Sequence, residues 1–222
     1  MLGATEGARR GRLSARPQRR GQGNGVGTGT DLPVPGAALR LPDRQPRLLR
    51  LVVLFHGAGG TAQHGVDLLA DQADEHGLAL LALPSVASTW DVITGGYGPD
   101  VSRLDETLHH VFDLLAVDSV AVGGFSDGAS YALSIGVANG DLFSSIVAFS
   151  PGFLAPAAVH GRPRIHVTHG VRDTVLPVDR CGRRVVAQLR RAGYDVDYRE
   201  FDGGHVVTPE HRAAAARWLV AD

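Results

Sequence analysis

The chain has 222 residues, 44% of them hydrophobic, which suits one globular domain with a sizeable core. Its formal net charge is −1, and its 22 basic residues other than histidine are all arginine. Ten of those arginines lie in residues 1–50 against Glu6, Asp31 and Asp43, so the remainder is mildly acidic and nothing on it suggests a nucleic-acid partner.

Residues 1–30 read as a solvated leader. Gly21, Gly23, Gly25, Gly27 and Gly29 alternate with small or polar residues, a run with high chain entropy and little to bury. The expected division is a flexible arginine- and glycine-rich segment over 1–35 and a folded domain over 36–222. Arg9-Arg10 and Arg19-Arg20 look superficially like export signals, yet no apolar segment follows either pair. The longest apolar stretches, at 51–55 and 78–83, are too short to span a membrane. A cytoplasmic protein is the default expectation.

Residues 37–41 suggest an early edge strand ended by Pro42. The aliphatic run 50–55 has the character of a central strand buried on both faces, and it leads into His56-Gly57-Ala58-Gly59-Gly60. Helical spacing follows from Gln63 to Glu75 (Val66, Leu69, Ala70, Ala73), with Gly77 as a stop. Residues 78–83 form the next strand, and 85–99, with Trp90, Tyr97 and three glycines, form a loop. An amphipathic helix spans 101–116, with Asp100 or Ser102 as candidate caps. A strand over 119–123 then meets Gly124-Phe125-Ser126-Asp127-Gly128 and a small-residue helix to about Ala138. Strands at 144–149, 164–169 and 195–201 alternate with helices at 178–192 and 209–220. That alternation predicts an α/β fold, a mostly parallel central sheet with helices on both faces. Only about fourteen residues separate Phe149 from Arg164, so no large lid is expected and the site should be open.

G-x-S-x-G between a strand and a helix is the pattern of a nucleophile elbow, a sharp turn that raises a serine hydroxyl above a sheet. A serine hydroxyl needs a positioned base, commonly a histidine oriented by a carboxylate. Asp173 follows the 164–169 strand and His205 follows the strand ending at Phe201; ligands and catalytic loops gather at such strand ends. The order Ser126, Asp173, His205 is the one expected for the α/β-hydrolase fold. His169 is read as structural, and Asp179, farther from the strand end, as the start of a helix. Asp127 contributes its backbone N–H to an oxyanion site, its carboxylate favouring the helix start. The second N–H is expected from the 56–60 loop, with Ala58 the first choice and Gly57 or Gly59 as neighbours. Trp90 and Tyr97 are candidate walls of a substrate pocket, the competing reading being that they plug the sheet edge.

Cys181 is the only cysteine, which excludes an internal disulfide framework and a thiolate metal site. No pair of histidines has metal-binding spacing on one helix face, and the glycine-rich loop lacks the lysine of a phosphate cradle, so neither metal nor cofactor is expected.

Together, His56-Gly57-Ala58-Gly59-Gly60, Gly124-Phe125-Ser126-Asp127-Gly128, His169-Gly170 with Asp173 and Pro177, and Gly203-Gly204-His205 resemble the phospholipase/carboxylesterase family of α/β-hydrolases. The resemblance runs from about Leu51 to the C-terminus and leaves out the arginine-rich start. It implies a small, lidless serine esterase acting on carboxylic esters or acyl-thioesters, with Ser126 as nucleophile, Asp173 and His205 as its partners, and backbone donors at Ala58 and Asp127. Family members more often carry glutamine where Asp127 stands. A peptidase or acyltransferase on the same fold, and a non-catalytic binding protein, are the alternatives. The expected partner is a small-molecule ester.

Overall fold

The computed structural model describes residues 4–17, 34–44 and 46–221; the alternating-glycine run at 21–29 lies outside them. In chain order the elements begin with α1 (Ala4–Arg9), β1 (Ala38–Arg40), β2 (Leu49–Phe55), α2 (Ala62–Val66), α3 (Ala73–His76) and β3 (Leu78–Ala82). Then come α4 (Asp91–Thr94), α5 (Pro99–Leu114), β4 (Val117–Phe125), α6 (Asp127–Ala138) and β5 (Phe143–Phe149). The chain closes with β6 (Arg164–Gly170), α7 (Gly182–Arg191), β7 (Val196–Phe201) and α8 (Pro209–Val220).

The seven strands make one open sheet in the order β1-β3-β2-β4-β5-β6-β7. Only β1 runs antiparallel, at the edge beside β3; every other pairing is parallel. Parallel neighbours need crossovers, and these crossovers cover both faces, which is why the central strands read as unbroken apolar runs. In β2 the pleat sends Leu51, Val53 and Phe55 into one core, shared with α5, α6 and α7. Val52 and Leu54 enter the opposite core, shared with α2, α3 and α8. Each such fully buried side chain contributes about 1.5–3 kcal/mol. No helix or strand interrupts the connection from β5 to β6.

Three expectations need correction. The helical stretch at 63–75 is not continuous: α2 ends at Val66, and a single 3-10 turn, Ala70–Gln72, precedes α3. Bonds from the Leu68, Leu69 and Gln72 N–H groups reach only three residues back, and the tightened chain buries Leu68 along with Leu69. Neither Asp100 nor Ser102 caps α5. Gly98 takes the cap position with Pro99 in the first turn, and Asp100 instead accepts the Val86 and Asp91 N–H groups (both 2.8 Å), pinning the preceding loop.

The third concerns residues 4–17, placed above in a flexible leader. They pack onto the domain: Leu13 is 3% exposed and Ala15 fully buried. Asn139 accepts the Leu13 N–H (2.9 Å) and donates to the Gly11 carbonyl (2.7 Å), while Asp105 accepts the N–H groups of Ser14 (2.7 Å) and Ala15 (2.9 Å). Arg12 and Arg16 both pair with Asp141, at 2.9 and 2.5 Å, and these guanidiniums hold its carboxyl far below the usual carboxylate range.

Candidate active site

The site grows from the end of β4. Gly124 and Gly128 flank Ser126 where backbones cross: a β-carbon on Gly128 would lie 2.5 Å from the His56 carbonyl oxygen and closer still to that of Phe55. Ser126 itself takes φ 58° and ψ −120°, a conformation that non-glycine residues occupy only when their surroundings impose it. The surroundings do so here. The Ser126 N–H donates to Phe149 at the end of β5 (2.9 Å), and its carbonyl accepts from Ala129 (3.0 Å) and Ser130 (3.1 Å).

Two loops from neighbouring strands converge on this serine. The Arg172 N–H donates to the Gly203 carbonyl and the Val171 N–H to that of Phe201 (both 2.9 Å), tying the exits of β6 and β7 together. Asp173 and His205 thereby meet: His205 Nδ1 lies 2.6 Å from Asp173 Oδ2, and His205 Nε2 lies 2.9 Å from Ser126 Oγ. The His205 ring leans on Phe125, centroids 4.6 Å apart, and its side chain is 14% exposed. Asp173 Oδ1 accepts the N–H groups of Leu176 (2.8 Å) and Val175 (2.9 Å). Burial alone raises the Asp173 carboxyl, but those N–H donors and His205 outweigh it and the group ends below its ordinary value. A charged Asp173 requires the proton on Nδ1, so Nε2 accepts from the serine hydroxyl.

His169 is the second imidazole on this carboxylate. Fully buried, it donates from Nε2 to the Leu176 carbonyl (2.7 Å) with Asp173 Oδ2 at 3.3 Å, and burial holds it below the ordinary histidine value. It braces the loop that carries Asp173.

On the other side, the 56–60 turn abuts the serine, a β-carbon on Gly57 falling 3.4 Å from Ser126 Cβ. Gly59 donates to Ser88 (2.7 Å) and Gly60 to Gly57 (3.0 Å), whereas the Ala58 and Asp127 N–H groups have no acceptor among the described residues. His56, buried, fixes this turn. Its Nδ1 bonds the Gly57 carbonyl (2.7 Å) and its Nε2 accepts the Ser85 N–H (3.1 Å). Burial lowers its basicity more than the Gly57 bond restores it, and Nε2, as the acceptor of an N–H, carries no proton.

Trp90 and Tyr97 do not line the site. Trp90 is 1% exposed, stacked on Tyr131 and edge-on to Phe55, and its indole N–H holds the His56 carbonyl (2.9 Å). Tyr97 covers Gly11 and donates to the Ala155 carbonyl (2.5 Å). Trp90 buttresses the wall, because a large aromatic surface recovers more by burial than by facing water, and Tyr97 is partly buried. Two contributors escaped the sequence reading. Thr89 donates to Asp127 Oδ2 (2.6 Å), and Phe125 supports His205; a threonine in a loop and the variable position of an elbow carry no local signal. Four exposed valines, Val86, Val171, Val175 and Val206, stand on the loops that leave β3, β6 and β7.

Among the described residues no group of three His, Cys, Asp or Glu side chains could hold a metal ion, and no helix is long and apolar enough to cross a membrane.

No protein-family model matches the chain, and no curated protein matches its sequence. Solved structures do match. Esterase PE8 superposes with a TM-score of 0.67 at 20% identity, over 83% of this chain and 97% of that one. The carboxylesterase of Bacillus cereus gives 0.64 at 16%, over 82% and 92%. Acyl-protein thioesterase 2 of Zea mays gives 0.58 at 21%, over 82% and 96%. With the sheet order above, these similarities establish the α/β-hydrolase fold.

Proposed function

We propose that this chain is a serine esterase, hydrolysing carboxylic esters, acyl-thioesters among them, by way of a covalent acyl-enzyme. The observation that carries the reading is the unbroken hydrogen-bonded path from Asp173 through both nitrogens of His205 to the Ser126 hydroxyl. His205 takes the serine proton as Oγ attacks the ester carbonyl, and Asp173 stabilises the imidazolium and holds its tautomer. The carbonyl oxygen becomes an anion, received by the Ala58 and Asp127 N–H groups, which act on charge present only in the transition state. His205 then returns its proton to the departing alcohol or thiol. Water attacks the acyl-enzyme in a second cycle of the same transfers and releases the acid. The neutral His56, the Thr89–Asp127 bond and the His169 brace keep the donors and the carboxylate in place, so little reorganisation accompanies the reaction.

The exposed valines on the loops that leave β3, β6 and β7 suit an apolar acyl or alcohol group. The lack of any element between β5 and β6 suits substrates that need no lid to open. Esterases and a thioesterase on this fold are consistent with the same chemistry here.

Labelling with a fluorophosphonate probe and turnover of short 4-nitrophenyl esters test the proposal. Wild-type protein should be labelled and active, Ser126→Ala neither, and Asp173→Asn folded but slower by roughly 10⁴. A Ser126→Ala protein that hydrolyses these esters at the wild-type rate would overturn it. A panel of esters, thioesters and aminoacyl amides assigns the leaving group.

A further inference from the structure

The loop leaving β5, Arg180 and one face of α7 line a separate pocket of about 180 Å³. Its lining combines Gly152, Phe153 and Leu154 from the loop with Arg180 and, from the helix, Arg184, Val185 and Gln188. We propose that this pocket is an anion subsite, in which Arg180 and Arg184 receive a carboxylate carried at the far end of the ester's acyl chain. The inference rests on the serine-esterase reading and adds a substrate class to it, half-esters of dicarboxylic acids.

Position comes first. The pocket loop is tied to the elbow: the N–H groups of Gly152 (2.9 Å) and Phe153 (3.4 Å) donate to Ser130 Oγ, and Ser130 in turn donates to the Ser126 carbonyl (3.3 Å). Leu176, whose N–H holds Asp173, lies against Gly152, 3.4 Å from where a β-carbon would stand. The helix side follows directly from the Asp173 loop, since the Arg180 and Cys181 N–H groups both bond the Pro177 carbonyl (3.0 Å). The pocket therefore shares backbone supports with both the serine and the carboxylate of the site.

Charge comes second. Arg183, the intervening arginine, is consumed by Asp179 (2.5 Å) and Glu200 (2.6 Å). Arg180 and Arg184 have no carboxylate partner among the described residues, although the chain as a whole is almost neutral. Asp173 does not neutralise them, being bound to His205 and two backbone N–H groups. Two arginines lining one concavity, with a glutamine, a phenylalanine and a leucine, match a short aliphatic chain ending in a carboxylate. The volume is too small for a whole drug-sized ligand and is suited to one substituent of a substrate.

The test compares 4-nitrophenyl half-esters of adipic, suberic and sebacic acids with the same compounds capped as methyl esters, which remove the charge and keep the shape. Nitrophenolate release reports both. At one chain length or more, wild-type kcat/KM should favour the half-ester about tenfold, a preference that fades as salt approaches about 1 M. Arg180→Gln with Arg184→Gln should bring the ratio to about one, and Arg184→Glu should invert it, with melting temperatures confirming that the variants fold. Capped esters turned over as fast as half-esters at every length, or a preference that survives the double substitution, would overturn the subsite while leaving the esterase intact. No turnover of either series together with no fluorophosphonate label would overturn the esterase reading, and the subsite with it.

Discussion

Replacing Ser126 by glycine should make the protein more stable than replacing it by alanine, the reverse of the usual order. Elsewhere glycine costs about 0.4–1 kcal/mol against alanine, because the unfolded chain gains conformational freedom. At Ser126 the native φ is 58° and ψ −120°, and holding a β-carbon there costs about 1–3 kcal/mol, a cost that glycine does not bear. The balance favours glycine by about 1 kcal/mol, or roughly 2–4 °C in melting temperature for a chain of this size. Both variants lack the hydroxyl and its bond to His205, so their difference isolates the backbone. Both keep the N–H bond to Phe149 and the carbonyl bonds to Ala129 and Ser130 that impose the conformation. Urea unfolding of the two proteins side by side reads the difference directly. An alanine variant that is the more stable by the ordinary margin would refute the claim that the elbow stores strain to present its hydroxyl.

Leu13→Ala should cost about 2–5 kcal/mol, as for a buried core leucine, and a melting temperature unchanged from wild type would mean that residues 4–17 contribute no packing. Gly128→Ala should lose at least about 3 kcal/mol or fail to fold, because the new methyl would displace the Phe55 and His56 carbonyls; a soluble protein of wild-type stability would refute that close approach. His56, His166 and His169 are each held below the ordinary imidazole value, burial being the leading cause. The unfolded chain then binds more protons than the native state once pH falls below about 6.5, so stability is full above that value and drains away beneath it. Asp173 and Asp197, depressed instead, withdraw their contributions only at lower pH, as it falls from about 4 toward their native values. Melting temperature followed from about pH 8 down to 5 should decline through the imidazole window, and a flat profile would exclude the buried neutral histidines.

The features that could be read along the chain are those whose causes are local. The aliphatic runs at β2, β3 and β4 announce strands because burial on both faces leaves no room for alternation. The elbow announces itself because Gly124 and Gly128 answer a steric demand only two residues from Ser126. Asp173 and His205 are legible as candidates because both follow strand ends of a parallel sheet, and there they lie against each other. Thr89 and Phe125 left no such trace, since each acts through a partner supplied by another segment.

Residues 4–17 make the same point more sharply. Arginines at 12 and 16 look like part of a solvated tail until Asp141, far along the chain, is placed beside them. Trp90 and Tyr97, set among glycines, look like pocket walls until Trp90 is seen stacked on Tyr131 and Tyr97 laid over Gly11. The α/β alternation, the tight turn at Ser126 and the order of the three residues that meet there are all written in local sequence. Folding settles which aromatic side chains are buried, which arginines are neutralised and which, like Arg180 and Arg184, have no carboxylate partner among the described residues and line a cavity. The physical reason is that periodicity and steric fit act over a few neighbouring residues, whereas burial and ion pairing depend on groups that folding alone brings within a few ångströms.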